Sequence, residues 1–135
     1  MREIFFKAKR KDNGEWVEGC IVIDQSRLDR FKYRIQPIES GALYAHPIDP
    51  DTLCQYTGLT DKNGKKIWEN DICDRKEKYP EIVTYNKGDW QLDYSYVFGK
   101  EMHTDACNLG FYACERNCVE VIGNVFDNAD LLEVE

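Results

Sequence analysis

Hydrophobic and polar residues alternate in short stretches along most of this chain, as they do in β-strands with one buried face. The first two stretches, residues 4–9 and 16–23, flank the turn Asp12-Asn13-Gly14, whose Asn-Gly step suits a tight hairpin. Gly19 lies inside the second stretch, where we expect a bulge or a close approach of a neighbouring backbone. Residues 33–36 alternate in the same way. The pattern therefore predicts an N-terminal β-hairpin followed by a further strand.

The alternation continues in the second half of the chain, where polar turns separate the stretches. Residues 53–59 and 65–73 are joined by a turn at residues 61–64 and predict a second hairpin. Three more short stretches follow, at residues 81–85, 90–94 and 118–123. Several short strands with polar turns favour a mainly β fold that closes into a small barrel.

Helices are predicted at two places, and both are short. Ser26 is a candidate cap for a helix at residues 27–31. Asn128 is a candidate cap for a C-terminal helix, because its side chain can accept backbone N–H bonds there. Leu131 and Leu132 would then close the core.

Proline and glycine interrupt regular structure between residues 39 and 51. We expect this segment to be a loop or the seam between an N-terminal β region at residues 1–50 and a barrel region at residues 51–135, which together could form one compact unit. A length of 135 residues suits one domain, and 42% hydrophobic residues with 13% aromatic residues suffice for a packed core. The composition therefore excludes intrinsic disorder, and the length excludes a large multidomain enzyme.

Charge and targeting signals limit the partners and the compartment. The chain carries 18 basic and 25 acidic residues, and its net charge of −7 disfavours non-specific binding to nucleic acid. A local basic edge at Lys7–Lys11 keeps a nucleic-acid partner as an alternative. We find neither a membrane-spanning apolar run nor a signal-peptide pattern, so we expect a cytoplasmic protein without membrane contact. Its six cysteines should then remain reduced thiols.

A cysteine-rich segment near the C-terminus contains possible zinc ligands: His103, Cys107, Cys114 and Cys118. Their spacing lacks the close Cys-x2-Cys pair of typical structural sites, so we predict no bound metal. Nucleophilic catalysis by a cysteine would need His46 or His103 as a base. Nothing in the sequence predicts that such a pair meets.

Four carboxylates around the central hairpin are candidates for metal-dependent hydrolysis: Asp61, Glu69, Asp71 and Asp74. Glu69 and Asp71 would share a face if residues 65–73 form one strand. However, Asp61 suits a turn and Asp71 can accept backbone N–H bonds. No phosphate-binding loop, nucleophile elbow or dinucleotide motif accompanies them. We therefore predict no catalytic residue and no cofactor, with a hydrolase using Asp71 as an alternative.

Aromatic residues are numerous for this length, and several lie between Trp90 and Phe98. Leu92, Tyr94 and Tyr96 would present one face of a strand. Aromatic side chains anchor protein interfaces as readily as they stack on bases. We therefore predict a binding surface at Trp90, Tyr94 and Tyr96.

The longest distinctive motif, at residues 55–72, reads QYTGLTDKNGKKIWENDI. It resembles the signature of the YopX-like family of phage and prophage proteins, and the resemblance extends to residues 2–8, 48–52 and 119–128. Asn70 stands where the family has glycine. The resemblance implies a mostly β protein with an SH3-like barrel in its C-terminal half and a phage or prophage origin. It implies no activity and no catalytic residue.

Together these observations favour a non-enzymatic phage or prophage accessory protein in the cytoplasm of a bacterial host. We expect it to bind a macromolecular partner, a protein rather than nucleic acid because of its charge. The alternatives are an SH3-like barrel that binds nucleic acid through Lys7–Lys11, and a small metal-dependent hydrolase. Exposed edge strands also predict self-association.

Overall fold

A computed structural model of the protein describes residues 3–29, 32–38, 45–97 and 107–133. Strands dominate the regular structure of these ranges, and they form two antiparallel sheets. The chain divides into two compact units, Met1–Tyr56 and Thr57–Glu135. The prediction of a mainly β fold is confirmed.

The first unit is built on one antiparallel sheet in the order β4-β3-β2-β1-β5. Its strands are β1 (Phe6–Lys9), β2 (Trp16–Ile23), β3 (Tyr33–Pro37), β4 (His46–Pro47) and β5 (Cys54–Thr60). The predicted hairpin of β1 and β2 is confirmed, and Gly14 in its turn has a φ of 73°. Ala8, Ile35 and Ile48 are fully buried and form the core of this unit.

Gly19 on β2 lies where the neighbouring backbone comes closest. A Cβ atom at this position would overlap the carbonyl oxygen of Gln36 on β3. The predicted close approach is confirmed, because β2 and β3 pair in a register that places Gly19 opposite Pro37.

The helix predicted from Ser26 is absent over residues 27–29, and residues 30 and 31 lie outside the described ranges. The backbone N–H and the hydroxyl group of Ser26 both donate to the carboxylate of Asp24, at 3.0 and 2.6 Å. Ser26 is therefore part of a local turn after β2, and it does not cap a helix.

The second unit has a sheet in the order β10-β9-β8-β7-β11, and β5 continues past Tyr56 into this unit, where it pairs with β6. Its strands are β6 (Lys66–Trp68), β7 (Asp71–Asp74), β8 (Glu81–Asn86), β9 (Asp89–Asp93), β10 (Cys107–Asn108) and β11 (Glu120–Asn124). The core cluster consists of Ile67, Cys73, Val83, Leu92, Leu109, Ala113, Val119 and Val121. Among the described residues the sheet order runs linearly from β10 to β11, so closure into an SH3-like barrel stays a prediction.

The strand predicted over residues 65–73 is broken into β6 and β7 by a turn at Glu69 and Asn70. Asn70 has a φ of 70°, a left-handed conformation that no regular strand residue adopts. Glu69 and Asp71 therefore do not share a strand face, contrary to our expectation. Asparagine is one of the few side chains that tolerate this conformation, which otherwise favours glycine.

Short helical segments lie at Pro50–Thr52, Ser95–Val97, Phe111–Glu115 and Ala129–Leu132. The predicted capping role of Asn128 is wrong, because its side-chain oxygen accepts the backbone N–H of Asn124 at 3.1 Å and makes no bond into the helix. Leu131 and Leu132 are half-buried and lie outside the core cluster. None of the helical segments in the described ranges has the length and apolar character needed to cross a bilayer.

Candidate functional site

A cleft in the second unit lies between the connection from β7 to β8 and the end of β9. Its volume is about 240 Å³, and it is lined by Arg75, Glu77, Lys78, Tyr79 and Tyr94. Four of these residues belong to the connecting segment at residues 75–80, while Tyr94 directly follows β9. Two tyrosine rings thus face a cleft whose other walls carry charge.

Arg75, one of the residues that line this cleft, is held from two sides. Its Nε donates to Glu81 Oε1 at 2.5 Å, and its Nη2 lies 3.5 Å from Glu81 Oε2. The guanidinium carbon lies 4.3 Å from the ring centroid of Tyr112, in cation–π geometry. The side chains of Arg75 and Glu81 are only 10% and 1% exposed, so this ion pair is largely removed from solvent.

A second, outer ion pair joins Arg75 to Glu77. Arg75 Nη1 donates to Glu77 Oε1 at 3.1 Å, and the Glu77 side chain is 58% exposed. Lys78 places its Nζ 5.3 Å from the ring centroid of Tyr79. The cleft therefore has a rigid inner pair and a solvent-facing outer pair.

Burial raises the pKa of Glu81 above the ordinary value of a glutamate. Arg75 works in the opposite direction, and the negative charges of Glu77 and Asp93 add to the increase. Tyr96, whose hydroxyl group donates to the carbonyl oxygen of Pro80 at 2.7 Å, also has a raised pKa, because of burial and then the charge of Glu81. Burial and the neighbouring negative charges thus outweigh the opposing effect of Arg75 on the pKa of Glu81.

The three aromatic residues predicted for binding lie at different places. β9 ends at Asp93, whose carboxylate accepts the N–H of Ser95 and starts a helical turn. As a result Leu92, Tyr94 and Tyr96 do not form the single strand face that we expected: Leu92 is fully buried, Tyr94 lines the cleft and Tyr96 is bonded to Pro80.

Trp90 lies at the other end of β9. Its ring packs edge-on against Tyr85 with centroids 4.9 Å apart, and it contacts the core cluster. Phe98 lies outside the described residues. Of the predicted set, only Tyr94 lines the cleft.

Sequence reasoning missed Arg75, Tyr79 and Glu81. The segment around Arg75 is highly charged and is typical of a solvated turn. A signal was nevertheless present at Glu81, because it shares strand parity with Val83 and therefore points to the buried face of β8. A buried carboxylate needs a cationic or N–H partner, and the nearest preceding arginine is Arg75.

Two of the carboxylates considered for catalysis, Asp61 and Asp71, accept backbone N–H groups. Asp61 is 5% exposed and accepts three N–H groups, those of Asn63, Lys65 and Val121, each at 2.9 Å. Asp71 is 3% exposed and accepts the N–H of Trp68 at 2.8 Å. These bonds fix the turn after β5 and the break between β6 and β7.

Burial alone would raise the pKa of Asp61, but the three N–H groups outweigh it and lower that pKa below its usual value. The carboxylate therefore stays ionised and acts as a structural acceptor. In the described part of the chain, no group of three or more histidine, cysteine, aspartate or glutamate residues is placed to hold a metal ion.

Among the described residues, no disulfide forms at Cys20, Cys54, Cys73, Cys114 or Cys118. Burial raises the pKa of Cys73 strongly, so this thiol is a poor nucleophile. His103 and the side chain of Cys107 lie outside what the structure describes, and the zinc and cysteine–histidine alternatives stay untested.

The basic edge of the first unit is interleaved with carboxylates. A cleft of about 380 Å³ is lined by Lys9, Arg10, Lys11, Gly14, Asp49 and Asp51. Arg10 also forms an ion pair with Asp12 at 2.6 Å, and Lys7 places its Nζ 4.7 Å from the ring centroid of Trp16. Positive charge at this edge is thus partly neutralised within the unit.

Comparison with known proteins identifies one family and one fold. No curated protein matches this chain significantly. The crystal structure of protein EF1440 from Enterococcus faecalis is similar, with a TM-score of 0.56 and 23% sequence identity, covering 98% of this chain and 100% of that chain. At this identity the likeness shows a shared fold alone. The family model described as YopX protein matches residues 5–133, nearly the whole sequence, and this chain therefore belongs to the YopX family.

Proposed function

We propose that this protein is a non-enzymatic accessory protein of phage or prophage origin that binds a protein partner through the cleft at Arg75 and Tyr94. It acts in the cytoplasm of the bacterial host, and its second unit, the SH3-like barrel region, carries the binding surface. Membership of the YopX family supports this class of protein.

The observation that carries the proposal is the construction of the cleft. Tyr79 and Tyr94 supply aromatic contact area beside Arg75, which is already fixed by Glu81 and Tyr112. Tyrosine and arginine are enriched among residues that dominate binding energy at protein interfaces, and a side chain that is fixed beforehand loses less entropy on binding.

The alternatives receive less support from the described residues. The cations of the basic edge are paired with or adjacent to Asp12, Asp49 and Asp51, which weakens attraction to phosphates. Asp61 and Asp71 accept backbone N–H groups, which gives both buried carboxylates a structural role. A protein partner is therefore the function that the geometry supports best.

An affinity pull-down from host-cell lysate tests this proposal. Wild-type protein and the Tyr94→Ala variant are compared, each with nuclease-treated and untreated lysate, and recovered proteins are identified by mass spectrometry. We expect wild type to recover a partner protein whether or not the lysate is treated with nuclease. The Tyr94→Ala variant should recover at least several-fold less of this partner.

Tyr85→Ala is the matched control, since Tyr85 is 57% exposed at the far end of the same sheet. Equal loss of the partner in both variants would place binding outside the cleft. Loss of all partners after nuclease treatment would instead indicate that the protein binds nucleic acid. Thermal melting of each variant confirms that the fold is retained.

A further inference from the structure

The ion pairs inside the cleft indicate the chemistry of its ligand. We propose that the cleft binds a glutamate or aspartate side chain of a partner segment, and that this carboxylate replaces Glu77 on Arg75. This inference rests on the proposed protein-binding function and names the group that the cleft recognises.

Arg75 is prepared for such a contact. Glu81 binds its Nε and Nη2, and the Tyr112 ring lies against the guanidinium plane, so the side chain is fixed before any ligand arrives. Glu77 contacts a different nitrogen, Nη1, and Arg75 is one of the residues that line the cleft. A planar guanidinium held in this way presents N–H groups in a fixed direction, which suits a carboxylate oxygen.

Exchange of Glu77 for an incoming carboxylate costs little. The Glu77 side chain is 58% exposed, so its carboxylate is readily solvated once it leaves Arg75. When Glu77 turns into water, the partner carboxylate takes its place on Nη1, so the number of charges around Arg75 is unchanged. Glu77 is therefore an internal competitor for the site.

The remaining lining residues suit the rest of such a side chain. Lys78 adds a second positive charge at the cleft, and the rings of Tyr79 and Tyr94 offer surface for the apolar stem of a glutamate. The net charge of −7 repels strongly acidic segments at long range. The preferred segment thus carries one carboxylate among uncharged residues.

Nuclear magnetic resonance titration of the full chain with blocked peptides tests the proposal. The probe is acetyl-Gly-Ala-Glu-Ala-Gly-amide, and its matched control has glutamine in place of glutamate. We expect saturable shifts of the Arg75 Nε–H resonance and the Tyr94 amide with the glutamate peptide alone. Equal shifts with both peptides would overturn the carboxylate inference.

The Glu77→Gln variant removes the internal competitor at an exposed position, where folding is not at risk. From the energy of exposed ion pairs, we expect the dissociation constant of the glutamate peptide to fall about two- to fivefold. Glu18→Gln removes the same charge from an exposed site on β2, and it should leave that constant unchanged. If the two variants change the dissociation constant of the glutamate peptide equally, or if Glu77→Gln binds this peptide more weakly than wild type, the peptide does not replace Glu77 on Arg75.

A third peptide, with glutamine and a free C-terminus, separates the source of the carboxylate. Binding of this peptide alone would refute recognition of an acidic side chain. Failure of this inference can be distinguished from failure of the proposed function. If Tyr94→Ala loses the protein partner in the pull-down but the glutamate and glutamine peptides bind alike, the cleft binds a protein but does not recognise an acidic side chain.

Discussion

Asp61 and Glu81 are both buried carboxylates, yet their surroundings move their pKa values in opposite directions. Both are desolvated, which raises the pKa. Asp61 accepts three backbone N–H groups that reverse this effect, whereas Arg75 does not fully offset the burial of Glu81. The two residues therefore make opposite contributions to the pH dependence of stability.

We expect Asp61→Asn to lower the free energy of unfolding at neutral pH by about 1–3 kcal/mol, because the charged acceptor of three N–H groups is lost. A lowered pKa means that the Asp61 contribution is present above its ordinary pKa and is lost as pH falls through the lowered one. Urea unfolding at several acidic pH values should therefore show that the difference in free energy of unfolding between wild type and Asp61→Asn becomes smaller as pH falls. Asp130→Asn, at an exposed position, is the control.

Glu81→Gln should reveal the reverse slope. Because the folded-state pKa of Glu81 is raised, its contribution is full below its ordinary pKa and declines as pH rises through the raised value. Unfolding measured across this range should show wild type losing stability relative to Glu81→Gln as pH rises. A stability difference between the two proteins that is constant with pH, or a wild type that gains stability relative to Glu81→Gln as pH rises, would contradict the raised pKa.

Asn70 provides a third test at the scale of single residues. Its φ of 70° disfavours any residue with a Cβ atom, and asparagine less than most. The free energy of unfolding of Asn70→Ala should be about 1 kcal/mol lower than that of Asn70→Gly. Both variants lack the side-chain amide, so the comparison isolates the backbone. Equal stability of Asn70→Ala and Asn70→Gly would argue against a left-handed backbone conformation at this position.

At the scale of elements, the pairing of β2 with β3 depends on one missing side chain. Gly19 lies opposite Pro37, and the carbonyl oxygen of Gln36 occupies the space where a Cβ atom would stand. Because the obstacle is backbone, it cannot move aside without shifting the strand. Ile35, which is fully buried on β3, would move with it.

Gly19→Ala should therefore destabilise the first unit by about 1–3 kcal/mol, the usual cost of overpacking. Chemical denaturation measures this change, and amide shifts report whether it is concentrated in β2 and β3. Glu18→Ala, at the exposed neighbouring position on the same strand, should change stability far less. Comparable losses in the two variants would show that strand propensity, and not the contact with β3, is responsible.

At the scale of the whole molecule, net charge limits the possible partners. The charge of −7 repels phosphate backbones, and the basic edge near Lys11 is flanked by Asp49 and Asp51. The proposed cleft recognises its ligand through local charges around Arg75, which long-range repulsion affects less. The protein should accordingly discriminate between a peptide and a nucleic acid.

We expect no salt-sensitive binding to duplex DNA in fluorescence anisotropy between about 50 and 200 mM salt, because few counterions would be released. Tight binding that falls steeply with salt, and that Lys11→Gln weakens, would instead establish the basic edge as the functional surface.

The sequence alone determined most strand positions, because the signals for strands and tight turns act over a few residues. Two-residue alternation predicted β1, β2, β3, β8, β9 and β11, and the Asn-Gly step predicted the first hairpin. The break at Asn70 was missed because the positive φ of a non-glycine residue leaves no mark in the hydrophobic pattern. Asn128 was misjudged because its side chain had two backbone partners within reach.

Only the tertiary structure decided where the candidate site lies. Arg75, Glu81 and Tyr112 are separated in sequence, and their contacts depend on the packing of β7, β8 and the helical turn at Phe111–Glu115. Tyr94 was predicted as a binding residue, but its neighbours were not. Local sequence signals specify elements, whereas a binding cleft requires side chains from several elements to meet, and that depends on how the sheet is assembled.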